Sequence, residues 1–157
     1  MKEMKELYLA LYSPSSVQRL LDFLKTVYAV NNVVPVVIKP FGAAAQVGVP
    51  EAHRISYKLS KPLIILPEIM DLKKLLSCEA VYYVSEEGEE VDLPVVFNEV
   101  KQRKTAVIIS SGEQEPGKRE LEDIKTIWFK NIPRGMPSIA VTGIILYEVN
   151  RLKNINQ

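Results

Sequence analysis

The amino-acid sequence predicts an α/β domain, built on a mostly parallel sheet of about six strands with helices on both faces. Short apolar runs alternate with amphipathic stretches along all 157 residues, as in chains of successive strand–helix units. The apolar runs are continuous, which is typical of parallel strands that are buried on both faces. No internal repeat or linker interrupts this order, so residues 1–157 are expected to form a single domain.

Each predicted element follows from its local pattern. Serines before the first helix are candidate N-caps, and Pro50 suits the first turn of the second helix. Pro35 predicts an edge position or a bulge in the second strand, because proline lacks the N–H that a sheet ladder needs. The predicted strands are Leu7–Ser13, Val33–Lys39, Pro62–Leu66, Ala80–Ser85, Thr105–Ser110 and Lys125–Phe129. The predicted helices are Ser15–Asn31, Pro50–Lys61, Asp71–Cys78, Leu93–Arg103 and Ser138–Lys153.

Two segments lack a clear period. Pro40–Val49 carries two glycines and is predicted to be a loop. The acidic run Glu86–Glu90 is predicted to be a solvated turn after the fourth strand.

Composition excludes several classes of protein. A single cysteine leaves no disulfide framework, and one cysteine with one histidine argues against a Cys/His zinc site, so no metal is expected. No apolar run approaches the roughly 20 residues of a membrane span, and the N-terminus lacks a signal-peptide pattern, which favours a cytoplasmic protein. The net charge of +1 provides no general attraction for polyanions, so any nucleic acid would need a local basic patch.

Ligands of parallel α/β sheets bind beyond the carboxyl ends of the strands. Three loops are expected there: Ser13–Arg19, Ser110–Gly117 and Asn131–Ser138. Glycines in the last two permit close approach by a ligand, and stiff loops with free backbone groups can hydrogen-bond a purine. Ordinary connections also contain Gly and Pro, so composition alone leaves that interpretation open.

In the C-terminal part of the chain, a strand leads into GE-x-x-x-G, another strand follows, and IP-x-G-x-x-S then enters an apolar helix. The residues of these motifs are Gly112, Glu113, Gly117, Ile132, Pro133, Gly135, Met136, Ser138 and Ile139. Over about Thr105–Arg151, this order resembles the C-terminal half of SpoU-like SPOUT RNA methyltransferases. The family's N-x-G-x-x-x-R motif is kept only in part, since Ser13 and Ser15 replace its Asn and Gly while Arg19 remains.

The resemblance implies a C-terminal trefoil knot, a homodimer and a bound S-adenosylmethionine that methylates RNA, with a tRNA or rRNA ribose 2′-hydroxyl as acceptor. Arg19 is the expected catalytic residue, holding a phosphate or stabilising an alkoxide, and Glu113 is an alternative polar participant. An apolar last helix that needs burial on several sides agrees with a dimer. The expected cofactor-binding residues are Ser85, Gly112, Glu113, Gly117, Ile132, Gly135, Met136, Ser138 and Ala140.

Other functions stay open. A SPOUT domain that binds RNA or ligand without catalysis would explain the altered Arg19 motif. A metal-dependent nuclease is less favoured, since Glu68 and Asp71 are close in sequence but form no compact acidic cluster. His53 is either a general base or a surface histidine. The dinucleotide-binding G-x-G-x-x-G is absent after the first strand.

Overall fold

The computed structural model describes residues 6–155. Six strands form one parallel sheet in the order β3-β2-β1-β5-β4-β6, which confirms the predicted fold class. The strands are β1 Leu7–Tyr12, β2 Val33–Ile38, β3 Ile64–Leu66, β4 Ala80–Val91, β5 Thr105–Ser110 and β6 Lys125–Phe129. The helices are α1 Val17–Tyr28, α2 Val49–Leu59, α3 Asp71–Lys74, α4 Leu93–Gln102 and α5 Ser138–Ile155.

The two faces of the sheet are covered differently. Helices α1, α4 and α5 bury one face, where Leu20, Phe97 and Ile145 belong to one apolar cluster. The other face is covered by the short helix α3 and by residues 117–124, which contribute Leu72 and Leu121. Helix α2 packs on the outside of α1. Burial of continuous apolar strands on both faces explains why they pair in parallel.

The predicted loop over Pro40–Val49 is wrong, because the chain there is helical. A π-helical turn spans Ala44–Gly48 and continues into α2. Alanine is the strongest helix former, and the wide turn ends where Pro50, which has no N–H to donate, enters the helix. Gly48 packs against α1 so closely that a Cβ there would lie 2.9 Å from Leu20 Cδ2.

The predicted solvated turn Glu86–Glu90 is also wrong, because these residues belong to β4. The strand pairs with β6 up to Val84, bulges outward, and resumes pairing at Glu89. Past the end of β5 the strand has only β6 as a neighbour, so its glutamates can remain exposed.

Pro35 was predicted to lie at a sheet edge or a bulge, and it lies instead in the inner strand β2. Strand β3 pairs with β2 only from Val36 onward, so Pro35 has no strand neighbour on the β3 side.

Helix α5 is apolar on its buried and exposed sides. Val141, Ile145 and Val149 face the core, whereas Ile139 and Tyr147 are 42% and 69% exposed. This distribution matches the predicted all-round apolar helix. Within residues 6–155, no helix is both long and apolar enough to span a bilayer.

Candidate functional site

Four adjacent strands direct their following segments to one region at the carboxyl edge of the sheet. Strands β1, β5, β4 and β6 are neighbours, so the loops after β1, β5 and β6 meet the bulge of β4. Positive φ angles at Ser13 (48°), Gly112 (78°) and Asn131 (70°) turn the chain sharply just after three of these strands. The predicted ligand-binding loops therefore lie together.

A cavity of about 640 Å³ lies among these segments. Its volume is within the range of about 300–1,000 Å³ that is usual for small-molecule sites. Its walls combine apolar, aromatic and acidic side chains from β4, β5, β6, α5 and their loops. The lining residues are Tyr83, Val84, Ser85, Glu86, Glu87, Ile109, Ser110, Glu115, Pro116, Leu121, Thr126, Trp128, Met136, Ser138 and Val141.

Two of the cavity's carboxylates are fixed by hydrogen bonds. Glu86 Oε1 accepts a hydrogen bond from the backbone N–H of Gly135, in the loop after β6. Glu115 accepts from Tyr83 Oη and from Ser110 Oγ, the latter at 2.9 Å. Burial of the ring, and then the hydrogen bond to Glu115, raises the pKa of Tyr83. Tyr83 therefore stays a donor to Glu115 at ordinary pH.

The β4 bulge depends on Gly88. A Cβ at this position would lie 2.5 Å from the backbone nitrogen of Ile127 in β6, so only glycine fits. Bulges of this kind redirect side chains beside functional sites. Here the bulge places Glu86 and Glu87 at the cavity wall.

Arg19 is held at the same edge by the loop after β5. Its Nη1 donates to the carbonyl oxygen of Ser111 at 2.9 Å and lies 3.1 Å from Glu113 Oε1. The other oxygen of Glu113 accepts from the backbone N–H of Ser15 at 2.8 Å and from the Ser15 hydroxyl. Glu113 is only 15% exposed, whereas Arg19 is 57% exposed. A partly buried acid thus orients an accessible guanidinium.

A smaller cavity of about 200 Å³ adjoins Arg19. Ser138, at the start of α5, lines both this cavity and the larger one. The mouth of the smaller cavity carries Arg19 and Asp22, and its walls include Leu11 and Phe23. A ligand in the larger cavity and a second molecule beside Arg19 would lie close together.

The loop after β5 is tied to the sheet by further polar contacts. Gln114 accepts from Ser13 Oγ at 2.7 Å. Glu120 accepts from Tyr12 Oη at 2.8 Å and from the Gly117 N–H at 2.7 Å, and Lys39 Nζ lies 3.4 Å away. Burial opposes ionisation of Glu120, but these donors and Lys39 outweigh it and lower its pKa. Burial and the bond to Glu120 raise the pKa of Tyr12.

The predicted cofactor-binding residues fall into separate places. Ser85, Met136 and Ser138 line the larger cavity. Gly112 lines the smaller cavity with Arg19. Glu113 contacts Arg19, and the N–H of Gly117 donates to Glu120.

The remaining three predicted residues, Gly135, Ile132 and Ala140, are not among the residues that line either cavity. Gly135, at φ 90°, reaches the larger cavity through its hydrogen bond to Glu86. Ile132 is buried, and its carbonyl accepts from Trp128 Nε1 at 2.9 Å. Ala140 is exposed on α5 and is not among the residues that line either cavity.

Sequence reasoning missed the acidic and aromatic parts of the larger cavity: Tyr83, Glu86, Glu87, Glu115 and Trp128. A signal was present, since the run Glu86–Glu90 directly follows the apolar part of the fourth strand. The rule that ligands bind at carboxyl strand ends applies to that run as well as to the glycine-rich loops.

The described residues 6–155 contain no group of three or more His, Cys, Asp or Glu side chains that could hold a metal ion. His53 is exposed on α2. Glu68 and Asp71 contact each other through a hydrogen bond of 3.1 Å, which the Glu68 backbone N–H donates to the Asp71 carboxylate.

Solved structures with the same fold are SpoU-type and related methyltransferases. A candidate RNA methyltransferase of Bacillus anthracis superposes with a TM-score of 0.72 at 13% identity, covering 94% of each chain. The SpoU methyltransferase AviRb of Streptomyces viridochromogenes gives 0.71 at 13% identity, covering 99% of this chain and 62% of that one. An rRNA methyltransferase of Sinorhizobium meliloti, with AdoMet bound, gives 0.68 at 15% identity over 96% of this chain and 58% of its own. These likenesses establish a SPOUT methyltransferase fold.

Sequence relatives carry a different name. A protein of Aeropyrum pernix, named as a candidate type II restriction enzyme, is 34% identical over 87% of this chain and 88% of its own length. A protein of Methanocaldococcus jannaschii, also named as a candidate type II restriction enzyme, is 26% identical over 94% of this chain and 99% of its own length. The profile of one family matches residues 42–148. The chain therefore belongs to the family described as RecB-family nuclease (DUF2122).

Proposed function

We propose that this protein is an S-adenosylmethionine-dependent RNA methyltransferase that modifies a ribose 2′-hydroxyl of tRNA or rRNA. One observation carries the proposal: Ser138 lines both the 640 Å³ cavity and the smaller cavity, which also contains Arg19, the partner of Glu113 in an ion pair. A methyl donor and its acceptor need such adjacent sites, because transfer requires the reacting atoms to be aligned at contact distance. The shared fold with a methyltransferase that binds AdoMet supports the identity of the donor.

The residues at the larger cavity fit an adenosyl ligand. Apolar and aromatic walls from Ile109, Trp128 and Met136 suit a purine ring, and Ser85 and Thr126 offer hydroxyl groups. At Gly135 nothing lies within 4 Å of the Cβ position, so a ligand can approach the backbone there. When bound, S-adenosylmethionine would supply a methyl group that its sulfonium already activates.

Arg19 is the residue that would act on the acceptor. Its guanidinium is oriented by the Ser111 carbonyl and Glu113, and its free N–H groups can bind an RNA phosphate or stabilise the ribose oxygen, which passes its proton to solvent water as it takes the methyl group from the sulfonium. It does not serve as the base, because arginine stays protonated in proteins. Because Glu113 already orients Arg19, the arginine side chain would lose less conformational entropy on binding RNA.

A homodimer belongs to this proposal. The exposed apolar side of α5, with Ile139 and Tyr147, begins at the smaller cavity, so a second subunit bound there would border Arg19. We place the protein in the cytoplasm, as its composition predicted.

Calorimetric titration of purified protein with S-adenosylmethionine, with ATP and NAD as controls, tests the cofactor. Transfer of a labelled methyl group to tRNA and to rRNA tests the reaction, and nuclease digestion to nucleosides identifies 2′-O-methylation. Saturable binding followed by label in RNA supports the proposal. Saturable binding without transfer to any RNA supports a non-catalytic SPOUT binding protein instead.

The name of the family makes a nuclease the second candidate. Nucleases of that kind act through divalent metal ions held by clustered carboxylates. The described residues do not fit such a centre, since no three candidate ligands cluster among them. Incubation of plasmid DNA and of RNA with the protein and Mg²⁺ or Mn²⁺ tests this alternative. Cleavage that requires metal and is lost with EDTA would favour the nuclease over the methyltransferase.

A further inference from the structure

The larger cavity has an unusual balance of charge. Three carboxylates line it, from Glu86, Glu87 and Glu115, and none of its lining residues is a lysine or an arginine. Its aromatic wall adds Trp128, which is 4% exposed and is fixed by the 2.9 Å hydrogen bond from its Nε1 to Ile132. Carboxylates and aromatic rings both attract cations, and both disfavour phosphate groups.

The position of these carboxylates is built into the fold. The bulge between Val84 and Glu89 brings Glu86 and Glu87 to the cavity, and the contact of Gly88 with the backbone of Ile127 fixes that bulge. Glu86 accepts a hydrogen bond from the backbone N–H of Gly135, and Tyr83 and Ser110 donate to Glu115. The cavity is therefore lined by carboxylates from two separate segments, β4 and the loop after β5.

We infer that Glu86 and Glu87 determine specificity in this cavity by selecting a positively charged ligand over its neutral counterpart. The inference rests on the proposed function. S-adenosylmethionine carries a positive sulfonium, whereas S-adenosylhomocysteine, the product after methyl transfer, has a neutral thioether in its place. The carboxylates then hold the donor more tightly than the product, which favours product release, and they reject nucleotides that carry phosphates.

The size of the preference follows from simple electrostatics. A unit charge within several ångströms of carboxylates near a protein surface gains enough energy for about a tenfold difference in Kd. Such a preference must weaken as salt concentration rises, because mobile ions screen partly exposed charges. Removing one of the three carboxylates should reduce the ratio, and removing two should reduce it further.

Calorimetric titration with three probes tests the inference: S-adenosylmethionine, S-adenosylhomocysteine, and sinefungin, in which an amine replaces the methylated sulfur. Wild type should bind the two cationic ligands about tenfold more tightly than the neutral one. Glu86→Gln/Glu87→Gln should reduce the preference most strongly, leaving only the contribution of Glu115. Glu87→Gln alone should reduce it while leaving the contact between Glu86 and Gly135 in place. Glu79→Gln removes the same charge at the amino end of β4, is exposed, and should keep the full preference.

The outcomes separate the two proposals. Equal binding of charged and neutral ligands by wild type, or a ratio unchanged in the double variant, would overturn the charge selection and leave the cofactor assignment intact. A parallel loss of affinity for all three ligands at constant ratio would show a purely structural role for the glutamates and would also overturn it. Absence of binding by all three to folded wild type would overturn the proposed function and this inference together.

Discussion

Arg19 and Glu113 form an ion pair with Nη1 and Oε1 3.1 Å apart, between the first turn of α1 and the loop after β5. The pair joins two segments that lie 94 residues apart in sequence. Glu113 also accepts from the Ser15 N–H at 2.8 Å, so one carboxylate fixes both the start of α1 and the guanidinium on it. This arrangement is what makes Arg19 a preorganised group rather than a mobile surface arginine.

Arg19→Ala should reduce the kcat of methyl transfer by about a hundredfold or more, as loss of a preorganised charged donor usually does. The Kd for S-adenosylmethionine should stay within about twofold, because Arg19 borders the smaller cavity and not the larger one. Single-turnover methylation and calorimetry measure the two quantities.

Glu113→Gln is the companion variant to Arg19→Ala. It should lower kcat by about tenfold, since Arg19 keeps its charge but loses its orienting partner. An equal loss of cofactor affinity in Arg19→Ala would contradict the role assigned to Arg19.

Much of the fold could be predicted because buried parallel strands produce an unambiguous pattern. The predicted bounds of β5 and β6 coincide with the observed Thr105–Ser110 and Lys125–Phe129. Both strands are short apolar runs bounded by polar residues, and the sheet buries most of their residues. The loops at their carboxyl ends could be placed for the same reason.

The errors arise where distant contacts decide the local structure. The helical turn over Ala44–Gly48 depends on packing of Gly48 against Leu20 in α1, which no local period reveals. The second half of β4 is charged because it pairs only with the edge strand β6. The acidic wall of the cavity was missed with it, since Glu86 and Glu87 reach the site only through the bulge.

Gly88→Ala should destabilise the protein by about 2 kcal/mol, the usual cost of overpacking against a rigid neighbour. The new Cβ would lie 2.5 Å from the Ile127 nitrogen, so β4 and β6 must separate at the bulge. Urea unfolding followed by circular dichroism measures the change in the free energy of unfolding.

Gly143→Ala is the matched control for Gly88→Ala. Nothing lies within 4 Å of the Cβ position at Gly143, which sits inside α5. Alanine there should add about 0.5–1 kcal/mol of stability through its helix propensity. An unchanged urea midpoint in Gly88→Ala would contradict the close contact.

Alkaline pH should destabilise the fold through Tyr12 and Tyr83. Burial and hydrogen bonds to Glu120 and Glu115 raise the pKa of both phenols above the ordinary value of 10.0. The folded state therefore holds protons that the unfolded chain releases, so this stability is complete below about pH 10 and falls as pH rises above it.

Urea midpoints at pH 8, 10 and 11 measure this dependence, and absorbance at alkaline pH monitors tyrosinate formation. Tyr12→Phe should be less stable at pH 8, because Glu120 loses a donor. Its stability should fall less steeply than that of wild type between pH 10 and 11. Equal slopes for the two proteins would rule out Tyr12 as a source of the effect.

Tyr147→Glu should convert the proposed homodimer into monomers. Tyr147 is 69% exposed on α5, and a carboxylate within an apolar interface loses its hydration without gaining a partner. The dimer Kd should rise by at least about tenfold, as for loss of an aromatic interface anchor. Sedimentation equilibrium over a range of protein concentrations measures it.

Tyr57→Glu makes the same chemical change on α2, where Tyr57 is 89% exposed, and should leave the dimer intact. Methyl transfer should fall with dimerisation in Tyr147→Glu and persist in Tyr57→Glu, because the apolar side of α5 begins at the cavity that contains Arg19. If Tyr57→Glu dissociates the protein as readily, the interface lies on α2 instead. A monomeric wild type at every concentration would mean that Arg19 acts within one subunit, with the apolar residues of α5 left for another partner.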